Sequence, residues 1–429
     1  MLFAVGLALL LLLLVAGVPI GFSMALVGVL GVIVLRGFDP AVIMIGQVGI
    51  DAALNYNFSV LPLFVLMGNV IGRTRMAVDL YAAAHAFLGH RPGGLAMATI
   101  AASGGFAAVS GSSYACAATM TSISVPAMRE RRYDAGFAAA SVAAGGTLGV
   151  LIPPSIGMVF YSLITGVSLT QLMVAGVLPG ILSVLLYLVA VRLIALVKPA
   201  YGPPSEHTAW ADRLRTLLPV WPVAFLFLLV LGGIYAGVFT AMEAAGVGAF
   251  GAIAIALARR SLDRPALREI LVQTIRTTAN LFVVFFGALL FANFVTVAGL
   301  PSAIESWIVA SNLDAMTALV AAVLIYVVLG CILESSSLLL LTLPIFFPAL
   351  TGLGFDPVWL GIFVLIVAEI GLITPPIGMN VFVVKSLVTD IPLGRIFVGL
   401  VPFGIADILR LAVIVLFPGI VLLLPELMR

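Results

Sequence analysis

Two proline pairs, Pro153-Pro154 and Pro375-Pro376, each interrupt a stretch that is otherwise apolar and helix-forming. Proline lacks a backbone N–H and clashes with the preceding turn, so neither stretch can run as one continuous α-helix. Each pair is preceded by a serine-rich tip, Ser110-Gly111-Ser112-Ser113 in one case and Glu334-Ser335-Ser336-Ser337 in the other. Ser110 and Pro153 are 43 positions apart, Glu334 and Pro375 are 41 apart. Gly149 and Gly371 stand just before the prolines, and Gly157-Met158 and Gly378-Met379 follow them. Similarity continues from Val159 to Pro179 and from Val381 to Pro402, with one residue of slippage. One proline pair matches by chance; a tip, a spacing and a tail matching together mark an internal repeat.

The solvent for this repeat follows from the scarcity of charge. Of 429 residues, 63% are hydrophobic and 9% charged, whereas soluble domains carry about 25% charged residues. Too few charges exist to cover a water-facing surface, so the fold class is an all-α polytopic membrane protein. A formal net charge of +2 gives no footprint for a nucleic-acid partner. Cys116 and Cys331 lie in apolar stretches and read as small buried residues. The stretch from Met1 to Leu14 has no basic n-region and runs into further apolar sequence, so it reads as a helix of the mature chain.

In order, residues 1–57 read as N-terminal helices broken at Gly17-Val18-Pro19, with 37–57 an exposed connection carrying Asp39, Asp51, Asn55 and Asn57. The first repeat covers 58–197. Within it an interfacial amphipathic helix spans Met76 to Leu88, a hairpin spans about 93–128 and a broken helix about 134–166. The hairpin limbs are short for a span of about 20 residues, so the hairpin reads as re-entrant. A polar linker occupies 198–216, and 217–276 holds two spans and a charged arm from Arg259 to Arg276. The second repeat covers 277–429: a span from Thr277 to Val297, a short interfacial helix from Ser302 to Ser311, a hairpin at about 316–350, a broken helix at about 358–390 and a C-terminal helix.

Arginines orient the halves. The first hairpin is flanked by Arg73, Arg75, Arg91, Arg129, Arg131 and Arg132; the second lies in a stretch without Lys or Arg from Thr277 to Val384, beside Glu305, Asp314 and Asp356. By the positive-inside rule the first hairpin opens to the cytoplasm and the second to the outside. The repeats are therefore expected to be inverted, with both termini outside.

Two inverted hairpins and two broken helices meeting near the midplane are the plan of a secondary transporter. Helix N-termini after the tips and breaks favour an anion, and freed carbonyls and hydroxyls are hard ligands for a small cation such as sodium. A carboxylate substrate is expected at Ser112, Ser113, Pro154 and Ser155 of the first repeat and at Ser336, Ser337, Pro376 and Asn380 of the second. Sodium (Na+) is expected at Ser110, Gly111, Ser112, Gly149 and Pro153, and at Glu334, Ser335, Gly371, Thr374 and Pro375. Serine and glycine in membrane helices also serve plain packing, and Glu334 has the alternative of a hairpin-end residue reaching water. Glu369 has two readings, a buried hydrogen-bonded group or part of an ion pathway. Glu243, in Thr240-Ala241-Met242-Glu243, reads as half of a capping box. An intramembrane hydrolase would need a base beside Ser112, and His85, His90 and His207 all lie near interfaces or in the linker. An ion channel would need a stable pore rather than two inverted hairpins. No Walker motif is present, so the chain is not an ATP-driven motor.

At these motifs the chain resembles the large membrane subunit (M) of tripartite ATP-independent periplasmic (TRAP) transporters. The resemblance rests on Ser110–Ser113, on Gly146-Thr147-Leu148-Gly149 with Ile152-Pro153-Pro154-Ser155, and on Gly237–Thr240 with Glu243-Ala244-Ala245. It also rests on Leu353–Trp359 and on Gly371–Pro376, so it runs across nearly the whole chain. Ala241-Met242 departs from the Pro-Thr expected there, which touches a helix start and not the site. The resemblance implies an elevator-type transporter with a scaffold and a transport domain, sodium-coupled import of organic acids such as dicarboxylates, keto acids or sialic and sugar acids, and an inner-membrane location. It implies no enzymatic activity, and two partners: a small membrane subunit (Q) and a periplasmic substrate-binding protein (P). Apolar surface near Leu2–Leu14 and Leu217–Leu231 is expected to meet the small subunit and membrane lipid. A sodium and carboxylate symporter working without a binding protein is the alternative.

Overall fold

The computed structural model describes residues 2–311 and 314–428. Met1 and Arg429, to which the expectation for the termini refers, and the side chains of Leu2, Glu305, Trp307, Ile308 and Val309 lie outside the described residues. Among the described residues all regular structure is helical. Among the described residues six helical runs are long and apolar enough to cross a membrane, from Leu169–Val197 to Leu393–Leu416. Two further pairs qualify as bent spans, Phe38–Leu54 with Tyr56–Arg73 (57°) and Ala135–Leu151 with Ile156–Thr165 (41°). The chain is a multi-pass membrane protein.

The centre is built from the two helices that lead into the proline pairs. In Ala135–Leu151 every residue from Gly136 onward is buried, and Pro357–Gly371 is buried along nearly its whole length. A helix apolar all round finds its place inside other helices. Around them pack the two helical pairs that carry the tips, Gly94–Ser110 with Ser113–Glu130 and Ala315–Gly330 with Ser335–Gly352. The outer helices instead bury one stripe and expose another. On Val177–Val197, Ser183, Tyr187 and Val191 face inward while Ile181, Leu185, Val189 and Leu193 are exposed.

Four expectations need correction. Residues 37–57 are not an open connection: Phe38–Leu54 is a helix of 17 residues. Its buried residues Ala41, Met44 and Val48 recur at helical spacing on one face, a signal that Asp39, Asp51, Asn55 and Asn57 masked. The charged arm at 259–276 is not separate from the span that follows, because Arg264–Val297 runs as one helix of 34 residues capped by Asp263; the boundary at 276 falls inside it. The polar linker 198–216 ends in the helix Trp210–Leu217, so the helical run into the next span begins at Trp210. The closing stretch also divides, into Leu393–Leu416 and Gly419–Leu427. The capping box is present: Thr240 N donates to Glu243 Oε2 at 2.8 Å and Glu243 N donates to Thr240 Oγ1 at 3.3 Å.

Candidate functional site

The first tip is a two-residue break with a cap on each side. Gly94–Ser110 ends at Gly111, whose φ of 63° lies in the left-handed region and whose N–H donates to Ala107 O. Ser112 is extended and caps the next helix, accepting from Ala115 N at 3.4 Å. This tip is seated on the first proline break: Ile156 N donates to Gly111 O at 3.3 Å, and the main chain of Ser112 lies against Gly149. Beyond the break Ser155 starts Ile156–Thr165, accepting from Met158 N and donating to Val150 O.

The second tip repeats the arrangement with different atoms. Between Ala315–Gly330 and Ser335–Gly352, the Cys331 carbonyl accepts from Gly378 N at 3.1 Å and Cys331 Sγ donates to Pro375 O at 3.2 Å. Gly330 and Gly371 meet backbone to backbone, so closely that a Cβ on Gly371 would lie 2.6 Å from Gly330 Cα. Each tip thus rests on its own break.

One side chain joins the two tips. Glu369, 1% exposed, accepts from Ser113 Oγ at Oε2 and from Ser335 Oγ at Oε1, both at 2.6 Å. Its side chain is thus buried and hydrogen-bonded at both oxygens. In front of these serines lies a cavity of ≈ 140 Å³ lined by Gly111, Ser112, Ser113, Glu334, Ser335 and Ser336, with Tyr114, Val150, Ile156, Thr277 and Leu281 completing the wall. Ser113–Glu130 and Ser335–Gly352 both begin at this cavity, so two helix N-termini bring partial positive charge to it. Their free N–H groups suit an anion. The hydroxyls, tip carbonyls and the Glu334 carboxylate suit a hard cation. Among the described residues the buried Tyr114 Oη, on this wall, has no hydrogen-bond partner, and neither do the buried Ser110 Oγ and Asn380 Oδ1, which do not line the cavity. Buried polar groups are normally satisfied, so Tyr114 gives the cavity wall bonding capacity for a polar ligand.

The other expected residues stand at varying distances from the cavity. Gly149 and Gly371 pack behind the tips. Asn380 is fully buried beside the first repeat, its amide donating to Ala143 O at 3.5 Å, and its Nδ2 lies close to Gly146. Ser155 and Thr374 have hydroxyls engaged by backbone carbonyls, Val150 O and Ile370 O. Pro154 meets the tip through its carbonyl, which faces Gly111. Pro153 instead lines an apolar cavity with Ile152, Ile181 and Phe227. Pro375 and Pro376 are exposed and Ser337 is buried along its helix, and none of the three lines the tip cavity. The histidines are elsewhere: His85 contacts Ser205, while His90 and His207 both face Arg213.

A buried polar chain escaped the sequence reading. Asp407 and Arg410, 0% and 2% exposed, pair at 2.9 Å within Leu393–Leu416. Tyr187 donates to Asp407 at 2.8 Å, Arg410 donates to Ser183 at 2.8 Å, and Thr147 contacts the Tyr187 hydroxyl at 3.2 Å. An acid and a base three apart inside an apolar span were the available signal. Outside the spans, the Arg129 guanidinium bonds Asp390 at 2.7 Å and holds its carboxyl below the usual carboxylate range.

With tips, breaks and cavity in place, comparison with known proteins is decisive. The family that matches residues 7–420 is described as DctM, the DctM component of tripartite ATP-independent periplasmic transporters. The chain belongs to this family. The matched residues include both tips, both breaks and the Asp407–Arg410 pair. The C4-dicarboxylate TRAP transporter large permease protein DctM of Pseudomonas aeruginosa is 36% identical over 378 residues, 88% of each chain. The sialic acid TRAP transporter large permease protein SiaM of Vibrio cholerae is 30% identical, over 97% of this chain and 96% of that one. The ectoine TRAP transporter large permease protein TeaC of Halomonas elongata is 32% identical over 85% of each. Among solved structures the YdaH transporter of Alcanivorax borkumensis aligns with a TM-score of 0.61 at 16% identity, over 88% of this chain and 87% of that one. That likeness speaks to the fold of this DctM-family chain.

Proposed function

We propose that the chain is a sodium-coupled importer of organic acids, the large permease of a tripartite system. The observation that carries this is the cavity between the tips, where two helix N-termini, four tip hydroxyl side chains and one carboxylate converge at the centre of an apolar helical protein. Relatives named for C4-dicarboxylates, sialic acid and 2,3-diketo-L-gulonate support the substrate class. Anion and cation belong together there. In a low-dielectric interior each offsets much of the other's desolvation cost, and a domain carrying one unpaired charge crosses poorly.

In this reading the two halves are inverted repeats, and the tips and broken helices move as a transport domain against a scaffold. Phe38–Leu54, bent into the span Tyr56–Arg73 ahead of the first hairpin, and Arg264–Val297, whose arm runs straight into the span ahead of the second, support the repeat. A periplasmic binding protein delivers the substrate, and a small membrane subunit covers part of the apolar surface that includes Trp221, Phe225 and Leu228. The location is the bacterial inner membrane, with both termini periplasmic. Single-cysteine labelling from outside is expected to modify position 354 and spare position 131; the reverse pattern overturns the inversion.

The function is tested by uptake into vesicles holding the chain with its two partner proteins. Uptake is expected to require both an inward sodium gradient and the binding protein. Full uptake by the chain alone, or with potassium in place of sodium, contradicts the reading.

A further inference from the structure

We infer that Glu369 is a positioning residue that makes Ser113 and Ser335 ligands for a cation, one from each tip. This inference rests on the proposal of sodium coupling. A carboxylate accepts hydrogen bonds and donates none, and a serine hydroxyl has a single hydrogen. Ser113 and Ser335 each give that hydrogen to Glu369, at 2.6 Å. With the carboxyl ionised, as a cation bound nearby would favour, such short bonds are among the strong ones. What each Oγ then turns toward the rest of its surroundings is lone pairs alone. Both serines line the cavity between the tips, whereas Glu369 stands behind them and does not. Toward the cavity they therefore offer hard oxygen donors and no hydrogen for an anion, which is the chemistry of an alkali-cation site.

The consequence divides the cavity. Ser113, expected from the sequence to hold substrate, joins Ser335 on the cation side together with the Glu334 carboxylate. The hydroxyl of Ser112, on the same wall, has no bond to Glu369 and remains for a carboxylate substrate. Because its two serines come from different hairpins, an ion bound between them ties both tips together through a group that touches neither ion nor substrate.

The experiment is Glu369→Gln in vesicles with the partner proteins, measured as uptake against external sodium. A glutamine amide accepts at one atom and donates at the other, so one serine must reverse and turn its hydrogen to the cavity. The KM for sodium is expected to rise about tenfold or more, the effect of losing one hydrogen bond to a charged group. The maximal rate at saturating sodium and the KM for the transported acid are expected to stay close to wild type, and Glu369→Asp to restore most of the sodium affinity. A wild-type sodium KM in Glu369→Gln, or a loss confined to the maximal rate, overturns the inference. A second readout is melting of the purified chain in detergent with and without sodium. Wild type is expected to gain stability from sodium, and Glu369→Gln to melt like sodium-free wild type in both conditions. If Glu369→Gln does not fold, Ser113→Ala and Ser335→Ala are measured the same way; unchanged sodium KM in both overturns the inference. A wild type that ignores sodium overturns the proposed coupling itself, and this inference with it. A wild-type response that Glu369→Gln retains overturns this inference alone.

Discussion

Gly111→Val is expected to reduce uptake to below about a hundredth of wild type at equal protein level in the membrane. Gly111 has a φ of 63°, and a Cβ there would lie 2.8 Å from Pro154 O. Two costs combine. A side chain in the left-handed region costs of order 1–3 kcal/mol, and a β-branched one is the least suited. The second cost is displacement, because the atom in the way is backbone and cannot swing aside. The tip must lift from the first break, losing the Ile156 N to Gly111 O bond and moving Ser112 and Ser113 from the cavity wall. A loss of about 3 kcal/mol is already more than a hundredfold. Gly111→Ala should fall between valine and wild type. A valine variant with the wild-type rate would mean that the seating of this tip does not matter to transport.

Arg410→Leu should produce the largest loss of stability among single changes to charged residues. The guanidinium is 2% exposed, pairs with an Asp407 that is itself fully buried, and donates to Ser183. Removing one partner of a buried pair leaves an uncompensated charge, at a cost of about 3–5 kcal/mol. The exposed pairs Arg129–Asp390 and Arg215–Asp212 should each contribute little, because solvent screens them. Melting in detergent separates the cases: a marked fall for Arg410→Leu, little change for Arg215→Leu, and substantial recovery when Asp407→Leu is added to Arg410→Leu. The recovery is expected because an apolar pair of similar volume often replaces a buried ion pair at no loss. If Arg410→Leu melts like wild type, the pair is not isolated from water in the folded protein.

What the sequence by itself determined is local and covalent. Pro153-Pro154 and Pro375-Pro376 break helices wherever they are placed, since the missing N–H belongs to the residue. Gly111 and the small residues around it allow a tip, and Thr240 with Glu243 closes a capping box within four residues. Low charge alone settles the lipid environment. The same local reading failed at 37–57 because Asp39 and Asp51 on an exposed helix face, followed by Asn55 and Asn57 just beyond its end, resemble a loop when only the polar residues are counted.

Tertiary structure decided what those tips face. Ser113 and Glu369 are 256 positions apart, Tyr187 and Asp407 are 220 apart, and Arg410 and Ser183 are 227 apart. No periodicity or spacing pairs such residues; only the packing of the helices that carry them does. Glu369 is the clearest instance. Its position six residues before a proline is readable from the chain. That its two oxygens reach one serine from each tip follows from where two distant backbones come to rest, because hydrogen bonds act over about 3 Å and cannot select partners until the helices have packed.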